Sequence, residues 1–292
     1  MRNTFIDTLV KKAQTNQNIA LIVGDLGYSV VEKFAQSFPN RFFNAGVAEQ
    51  NMAGMAAGLA SEGFHVFIYS IANFPTFRCA EQIRNDIDYH NLPVTIVSVG
   101  AGLSYGNMGY SHHAIQDMAL MRLFPNILIA APADPLEVES CLNFLIENPQ
   151  PSYLRLGKTG ELKITKIVSN IKPGEIYCQI DKGPGKKLIL TTGTGLNVAI
   201  NLVEKGVLEN NSIYTMPMWG ANFRKNQIHI MEKYDEITTV ETHLLDGGFG
   251  SWLSECSRKN SNKIKKIYID SRVIYSSATN EKLLEKFIIQ EQ

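Results

Sequence analysis

Residues 43–63 read FNAGVAEQNMAGMAAGLASEG. A short strand and a glycine turn lead into a helix rich in small residues, and Glu49 falls in the first turn of that helix. The helix dipole favours a carboxylate there, so Glu49 has a plain reading as a stabilising N-terminal charge and a second reading as a functional group.

Outward from this segment the chain alternates short apolar runs with helical periods. IALIVG at 19–24, FHVFIYS at 64–70, VTIVSVG at 94–100, ILIAAP at 127–132 and SYLRL at 152–156 are near-continuously apolar. Strands covered on both faces have this character, and they form parallel sheets. Helices are expected over 47–62, 77–88, 115–123 and 134–147, the last opened by PADPLEVE. The pattern predicts α/β architecture, with a first three-layer domain over 1–158. Residues 159–186, richer in Gly, Lys and Pro, read as a connector with one irregular strand. A second α/β domain over 187–292 has strands in KLILTTG, SIYTMP, EITTVET and KIYID, with helices near 195–206, 224–233, 249–258 and 279–289.

The chain of 292 residues has a formal net charge of zero and an ordinary balance of apolar and charged residues, which excludes disorder and argues against nucleic acid as a partner. MRNTFIDTLVKKAQ reads as an amphipathic helix, and no apolar stretch is long enough to span a bilayer, so a cytoplasmic protein without membrane contact is expected. Cys79, Cys141, Cys178 and Cys256 lack metal-site or redox spacing and read as reduced core thiols.

Three further segments carry candidate chemistry. YSIANFPTFRCAEQIRND at 69–86 offers Tyr69, Phe74 and Phe77 as faces for a flat heteroaromatic ring, or as core. Pro75 places Phe74 on a loop. VGAGLSYGNMGYSHHAIQDMALMR at 99–122 is a glycine-rich loop too long for a simple strand-to-helix turn. It presents His112 and His113, each readable as a proton-transfer group or as a loop histidine bonded to backbone. PSYLRLGK at 151–158 supplies Arg155, suited to bidentate anion binding or to a structural ion pair, and Lys158, a point charge. Asp25 in GDLGYS follows the first strand, where a parallel sheet opens its ligand edge, and equally suits a turn.

These segments resemble those of transketolases, deoxyxylulose-phosphate synthases and 2-oxo acid dehydrogenase beta subunits. The chain is similar to the pyrimidine-binding and C-terminal part of that family, as in the C-terminal subunit of a split transketolase. ETHLLDGGFGSWLSE at 241–255 resembles the family's C-terminal signature, with Gly247, Gly248 and Gly250 letting a loop pack before a helix. The resemblance puts Glu49 on the catalytic glutamate that hydrogen-bonds the aminopyrimidine of thiamine diphosphate. It puts Phe74 on the stacking phenylalanine, His112 on the active-site histidine, and Asp117 on the acidic residue opening the next helix. Asp25, Tyr69 and Phe77 join Glu49 and Phe74 as cofactor-side candidates, and His112, His113, Arg155 and Lys158 stand toward substrate. Three positions depart from ordinary transketolases: Ile71 replaces an aromatic, and Gly100 and Met108 replace a histidine and an acidic residue of the substrate loop.

The family binds Mg2+ through a Gly-Asp-Gly segment followed by Asn, which this sequence lacks, so no metal ligands are expected in this chain. The resemblance therefore implies an N-terminal diphosphate-binding partner subunit in an α2β2 heterotetramer, acting on sugars or sugar phosphates by transfer of a two-carbon ketol unit. Decarboxylation of a 2-oxo acid, by a deoxyxylulose-type synthase or a dehydrogenase beta-type subunit, and a non-catalytic regulatory role are the alternatives.

Overall fold

The computed structural model describes residues 1–158, 160, 162–166 and 170–290. Of the expected connector and second domain, residues 159, 161, 167–169, 291 and 292 lie outside the described residues.

The first sheet has seven strands in the order β10-β5-β6-β4-β3-β1-β2. Its strands are β1 (Ile19–Val23), β2 (Phe42–Asn44), β3 (His65–Ile71), β4 (Val94–Val99), β5 (Leu128–Ala130), β6 (Ser152–Leu156) and β10 (Met218–Trp219). All pair in parallel except β10, which runs antiparallel to β5. The central strands β1, β4 and β6 are buried along their whole length, which is why their sequences run apolar without alternation.

One face is covered by α1 (Arg2–Ala13) and α7 (Pro135–Glu147), which add Phe5, Leu9, Val138, Leu142 and Leu145 to the core. Across the sheet lies α3 (Glu49–Ser61), whose Ala53, Ala56, Ala57 and Ala60 pack beside Ile68 and Ile96. Helix α2 (Glu32–Ser37) is a short connection between β1 and β2. Asp134 caps α7, its carboxylate accepting from the amides of Leu136 at 2.9 Å and Glu137 at 3.0 Å. Its other oxygen accepts from the amides of Ile164 and Thr165, at 2.6 Å each, and so ties down the connector.

The helix expected over 77–88 is broken into α4 (Phe74–Phe77), α5 (Ala80–Gln82) and a π-turn at Ile83–Asp88. Pro75 starts the first piece early, and π-turns of this kind concentrate at functional sites. The helix after the long loop is α6 (Asp117–Met121), shorter than its sequence period suggests.

The second sheet, in the order β13-β12-β11-β8-β9-β7, comprises β7 (Tyr177–Ile180), β8 (Lys187–Thr191), β9 (Ile213–Thr215), β11 (Glu236–Val240), β12 (Ile264–Ile269) and β13 (Ile288–Gln290). Its inner strands are parallel, while β7 and β13 are antiparallel edges. The helices α8 (Gly195–Glu204), α9 (Ile228–Lys233), α10 (Phe249–Cys256) and α11 (Asn280–Phe287) complete it.

The two halves are joined by more than the connector. After β9 the chain crosses back, and Trp219 of β10 pairs with Ile129 in the first sheet. Its indole packs 5.1 Å from Trp252 and 5.4 Å from Phe249 of α10, and its Nε1 donates to Thr192 Oγ1 at 3.1 Å. A two-residue strand is too short for any periodicity to reveal. Among the described residues, no helix is long and apolar enough to cross a membrane.

Candidate functional site

Four of the singled-out segments emerge at the carboxyl ends of β1 to β4, the edge where parallel sheets present their ligand sites. Glu49 is the first residue of α3. It is only 4 % exposed, yet its Oε1 accepts from Arg78 Nη1 at 2.8 Å. The Arg78 guanidinium carbon lies 4.1 Å from the centroid of the Phe74 ring, and the edge of that ring meets His112 at 5.4 Å between centroids. A carboxylate at a helix N-terminus, an aromatic face and an imidazole are thus assembled through one cation. Arg78 was not singled out from the sequence. Its signal was a cation between Phe77 and Cys79, immediately after the aromatic loop.

The local fold fixes this geometry. Thr76 Oγ1 donates to Ala72 O at 2.7 Å and closes the first turn of the aromatic segment. Cys79 Sγ donates to Glu49 O at 3.2 Å, joining that segment to α3. Burial, and next the Glu49 carboxylate, push this thiol up to about 12, which keeps it protonated as a donor. Asn73 Nδ2 donates to the carbonyls of Ser111 at 3.1 Å and His113 at 3.0 Å, pinning the histidine loop against the aromatic segment.

His112 Nδ1 lies 2.9 Å from Ser111 Oγ. Burial, reinforced by the positive charge of Arg78, holds its pKa below the ordinary imidazole value, which favours the neutral ring. Neutral imidazole both accepts and donates, as proton shuttling requires.

Other candidates take different places. Tyr69 points to the opposite face of β3, where it stacks on Phe5 of α1 at 5.9 Å and is 2 % exposed. Strand alternation sends it into the core, so the reading of Tyr69 as an open cofactor-facing ring is corrected. Phe77 is 47 % exposed and fills no core. His113 is buried, with Nε2 3.4 Å from Gly106 O, so the backbone takes up one ring nitrogen, while Nδ1 meets no protein partner among the described residues.

Arg155 is likewise buried, and its guanidinium is taken up inside the protein. Nε donates to Asp117 Oδ2 at 2.7 Å and Nη2 to Ala114 O at 2.6 Å. The substrate-side reading of Arg155 therefore gives way to the structural ion pair. Burial opposes the charge on Asp117, but Arg155 and then His243 outweigh it and hold the carboxyl below its usual range. Asp25, with φ 55°, is exposed and locked in a turn with Asn44, which donates to Asp25 Oδ1 at 2.9 Å and accepts from the Asp25 amide at 3.1 Å. Lys158 is exposed at the end of β6.

A parallel sheet that offers a carboxylate, an aromatic face and an imidazole at its carboxyl edge, joined to a second α/β unit, defines an α/β protein of the transketolase type. The family model described as "Transketolase, pyrimidine binding domain" matches residues 1–160. The chain is 33% identical over 294 residues to a putative transketolase C-terminal section from Methanocaldococcus jannaschii, covering 98% of this chain and 91% of that protein. It is 30% identical over 296 residues to one subunit of the apulose-4-phosphate transketolase of Phocaeicola vulgatus, covering 95% and 90%. A solved structure described as a split-gene transketolase, an inactive beta4 tetramer, superposes with a TM-score of 0.79 at 30% identity, covering 98% of this chain and 92% of that one. The chain belongs to the transketolase family.

Among the described residues, no group of three or more His, Cys, Asp or Glu side chains is gathered to hold a metal. The donor set does suit the pyrimidine half of thiamine diphosphate: a shielded carboxylate whose partner Arg78 is itself half exposed, next to a phenylalanine ring.

Proposed function

We propose that this chain is the pyrimidine-binding and C-terminal subunit of a split, thiamine diphosphate-dependent transketolase that works in the cytoplasm. Its domains are read as 1–158 and 187–292, joined by 159–186. The observation that carries this reading is the convergence of Glu49, Phe74 and His112 around Arg78.

Glu49 hydrogen-bonds a ring nitrogen of the aminopyrimidine, and Phe74 stacks on the ring, with Phe77 and Asp25 at the margin of the cofactor site. When bound, thiamine diphosphate supplies the nucleophilic carbon that carries a two-carbon ketol unit between sugars or sugar phosphates. His112 receives or returns the proton on the substrate oxygen, and Lys158 offers a point charge to a distal anion. Mg2+ and the diphosphate are held by the partner subunit, in an α2β2 assembly with its sites between subunits. The relatives of matching length, one described as a C-terminal section and the other as a single subunit of its transketolase, support the division of the enzyme into two chains.

Calorimetry with thiamine diphosphate and Mg2+ tests the reading, first on this chain alone and then with the co-purified partner. Binding and ketol transfer from hydroxypyruvate are expected only in the mixture. Tight binding to the isolated chain, or turnover of pyruvate in place of hydroxypyruvate, overturns it.

A further inference from the structure

The loop that carries His112 leaves the first sheet after β4 and returns at Ala114. Gly102 and Ala114 bond in both directions at its base, with Gly102 N to Ala114 O at 3.0 Å and Ala114 N to Gly102 O at 2.8 Å. Residues 103–113 therefore form a closed excursion without a regular strand or α-helix of their own.

What this excursion rests on comes from the C-terminal half of the chain. Leu103 and Ile115 are buried in one apolar cluster with Ile269, Val273, Leu283 and Phe287. At the tip, a Cβ added to Gly106 would lie 2.6 Å from both Ala278 O and Leu283 Cδ1, so loop and C-terminal half are in direct contact. At the base, Gly102 (φ +61°) abuts Thr242, Leu244 N donates to Ile115 O at 2.9 Å, and Ala119 N donates to His243 Nε2 at 3.3 Å.

Arg155 lies across this junction. Its Nη2 donates both to Ala114 O at 2.6 Å, at the loop's base, and to Thr242 O at 3.1 Å, in the C-terminal half, while Asp117 anchors its Nε. A planar fork serves three acceptors in fixed directions, which a lysine ammonium cannot reproduce.

We infer that the C-terminal half acts as a clamp for the substrate loop, with Arg155 and Leu283 as positioning residues that hold His112 at the edge of Phe74. The inference rests on the proposed role of His112. It gives the second half of the chain a part in catalysis, although none of these residues touches substrate.

Arg155→Lys and Leu283→Ala test the clamp from its two ends. Hydrogen exchange on the full chain is expected to accelerate at least tenfold in peptides within 103–113, with peptides of β1, β3 and α3 unchanged. In the assembled enzyme, kcat/KM is expected to fall about tenfold or more while the Kd for thiamine diphosphate moves less than twofold. Exchange that stays unchanged in the loop, or rises equally everywhere, overturns the clamp, as does a parallel loss of cofactor affinity. Should one variant fail to fold, the other decides. His112→Gln is measured beside them: full activity in that variant refutes the role of His112, whereas slow turnover with an unaltered loop in the other two refutes only the clamp.

Discussion

Glu49 and Arg78 form a 2.8 Å ion pair at the mouth of the site, and the same guanidinium covers the Phe74 ring at 4.1 Å. One side chain thus engages both groups proposed to receive the aminopyrimidine. The pair is half exposed on the arginine side, so its strength is about 1 kcal/mol or less. Arg78→Met keeps an unbranched apolar stem and removes the competing charge. Thiamine diphosphate is expected to bind the assembled Arg78→Met enzyme a few-fold more tightly, with weaker dependence on salt, in calorimetric titrations. Weaker binding means that Arg78 supports the cofactor site and does not compete for it.

The carboxylate itself is tested by Glu49→Gln, which preserves shape and removes the charge that favours one tautomer of the ring. Ketol transfer is expected to fall by about 100-fold or more, within the range assigned to positioned acid–base groups. Circular dichroism should be unaltered. Activity close to that of the parent enzyme would remove Glu49 from the mechanism.

His112 gives a spectroscopic prediction that needs no partner. Its imidazole is held below its ordinary value first by burial and then by the charge on Arg78. In Arg78→Met the second cause is gone and the first persists, so the His112 pKa should rise without fully reaching 6.5. Two-dimensional NMR titration of the isolated chain measures it. A pKa that stays put would mean that the charge on Arg78 is screened from the ring.

Much of this architecture was legible in the sequence because its physical signal is local. Strands buried on both faces, such as β1 and β4, must be apolar throughout, and the dipole of α3 marks Glu49. Phe74 and His112 were also singled out, and the structure brings them together as a T-shaped pair. What escaped depends on contacts distant in sequence. Tyr69 and Ser70 are neighbours on one strand, and only the register of β3 decides which of them faces α1. Arg155 offers the same guanidinium to an anion or to Asp117, and only the packing of β6 against α6 chooses. Met218 and Trp219 are too few to announce a strand, and their pairing partners lie far upstream, at Ala130 and Ile129.

That crossing strand supplies a stability prediction. Trp219 is fully buried, joins two other aromatic rings, and donates to Thr192. Trp219→Ala leaves a large cavity between the halves and removes the indole donor from the Thr192 hydroxyl, which keeps its own bond to Met216 O, at a cost of about 3–5 kcal/mol. Urea unfolding should show a lower midpoint. A change below about 1 kcal/mol would mean that the two halves are not coupled through this residue.

Glu137 ties the same two halves by a different chemistry. It sits on α7, wholly buried, and accepts from Ala133 N at 2.8 Å, from Thr215 Oγ1 of β9 at 2.5 Å and from Gln179 Nε2 of β7 at 3.3 Å. Burial raises its pKa to about 7, against partial relief from Thr215 and Ala133, and nearby Asp134 adds to the rise. The folded protein therefore prefers the protonated acid. The stability this contributes is complete below pH 4.5, declines as pH rises toward 7, and is gone above that. Over those units the loss is on the order of 3 kcal/mol. Glu137→Gln has no such proton to lose. The difference in unfolding free energy between Glu137→Gln and the parent should shift in the variant's favour by roughly that amount between pH 4.5 and pH 8. Glu241, also raised to about 7, and His65 and His243, lowered to about 4, titrate in both proteins and cancel from the difference. Chemical denaturation at a series of pH values decides it: a difference that stays constant across the range means that Glu137 is already ionised in the folded chain.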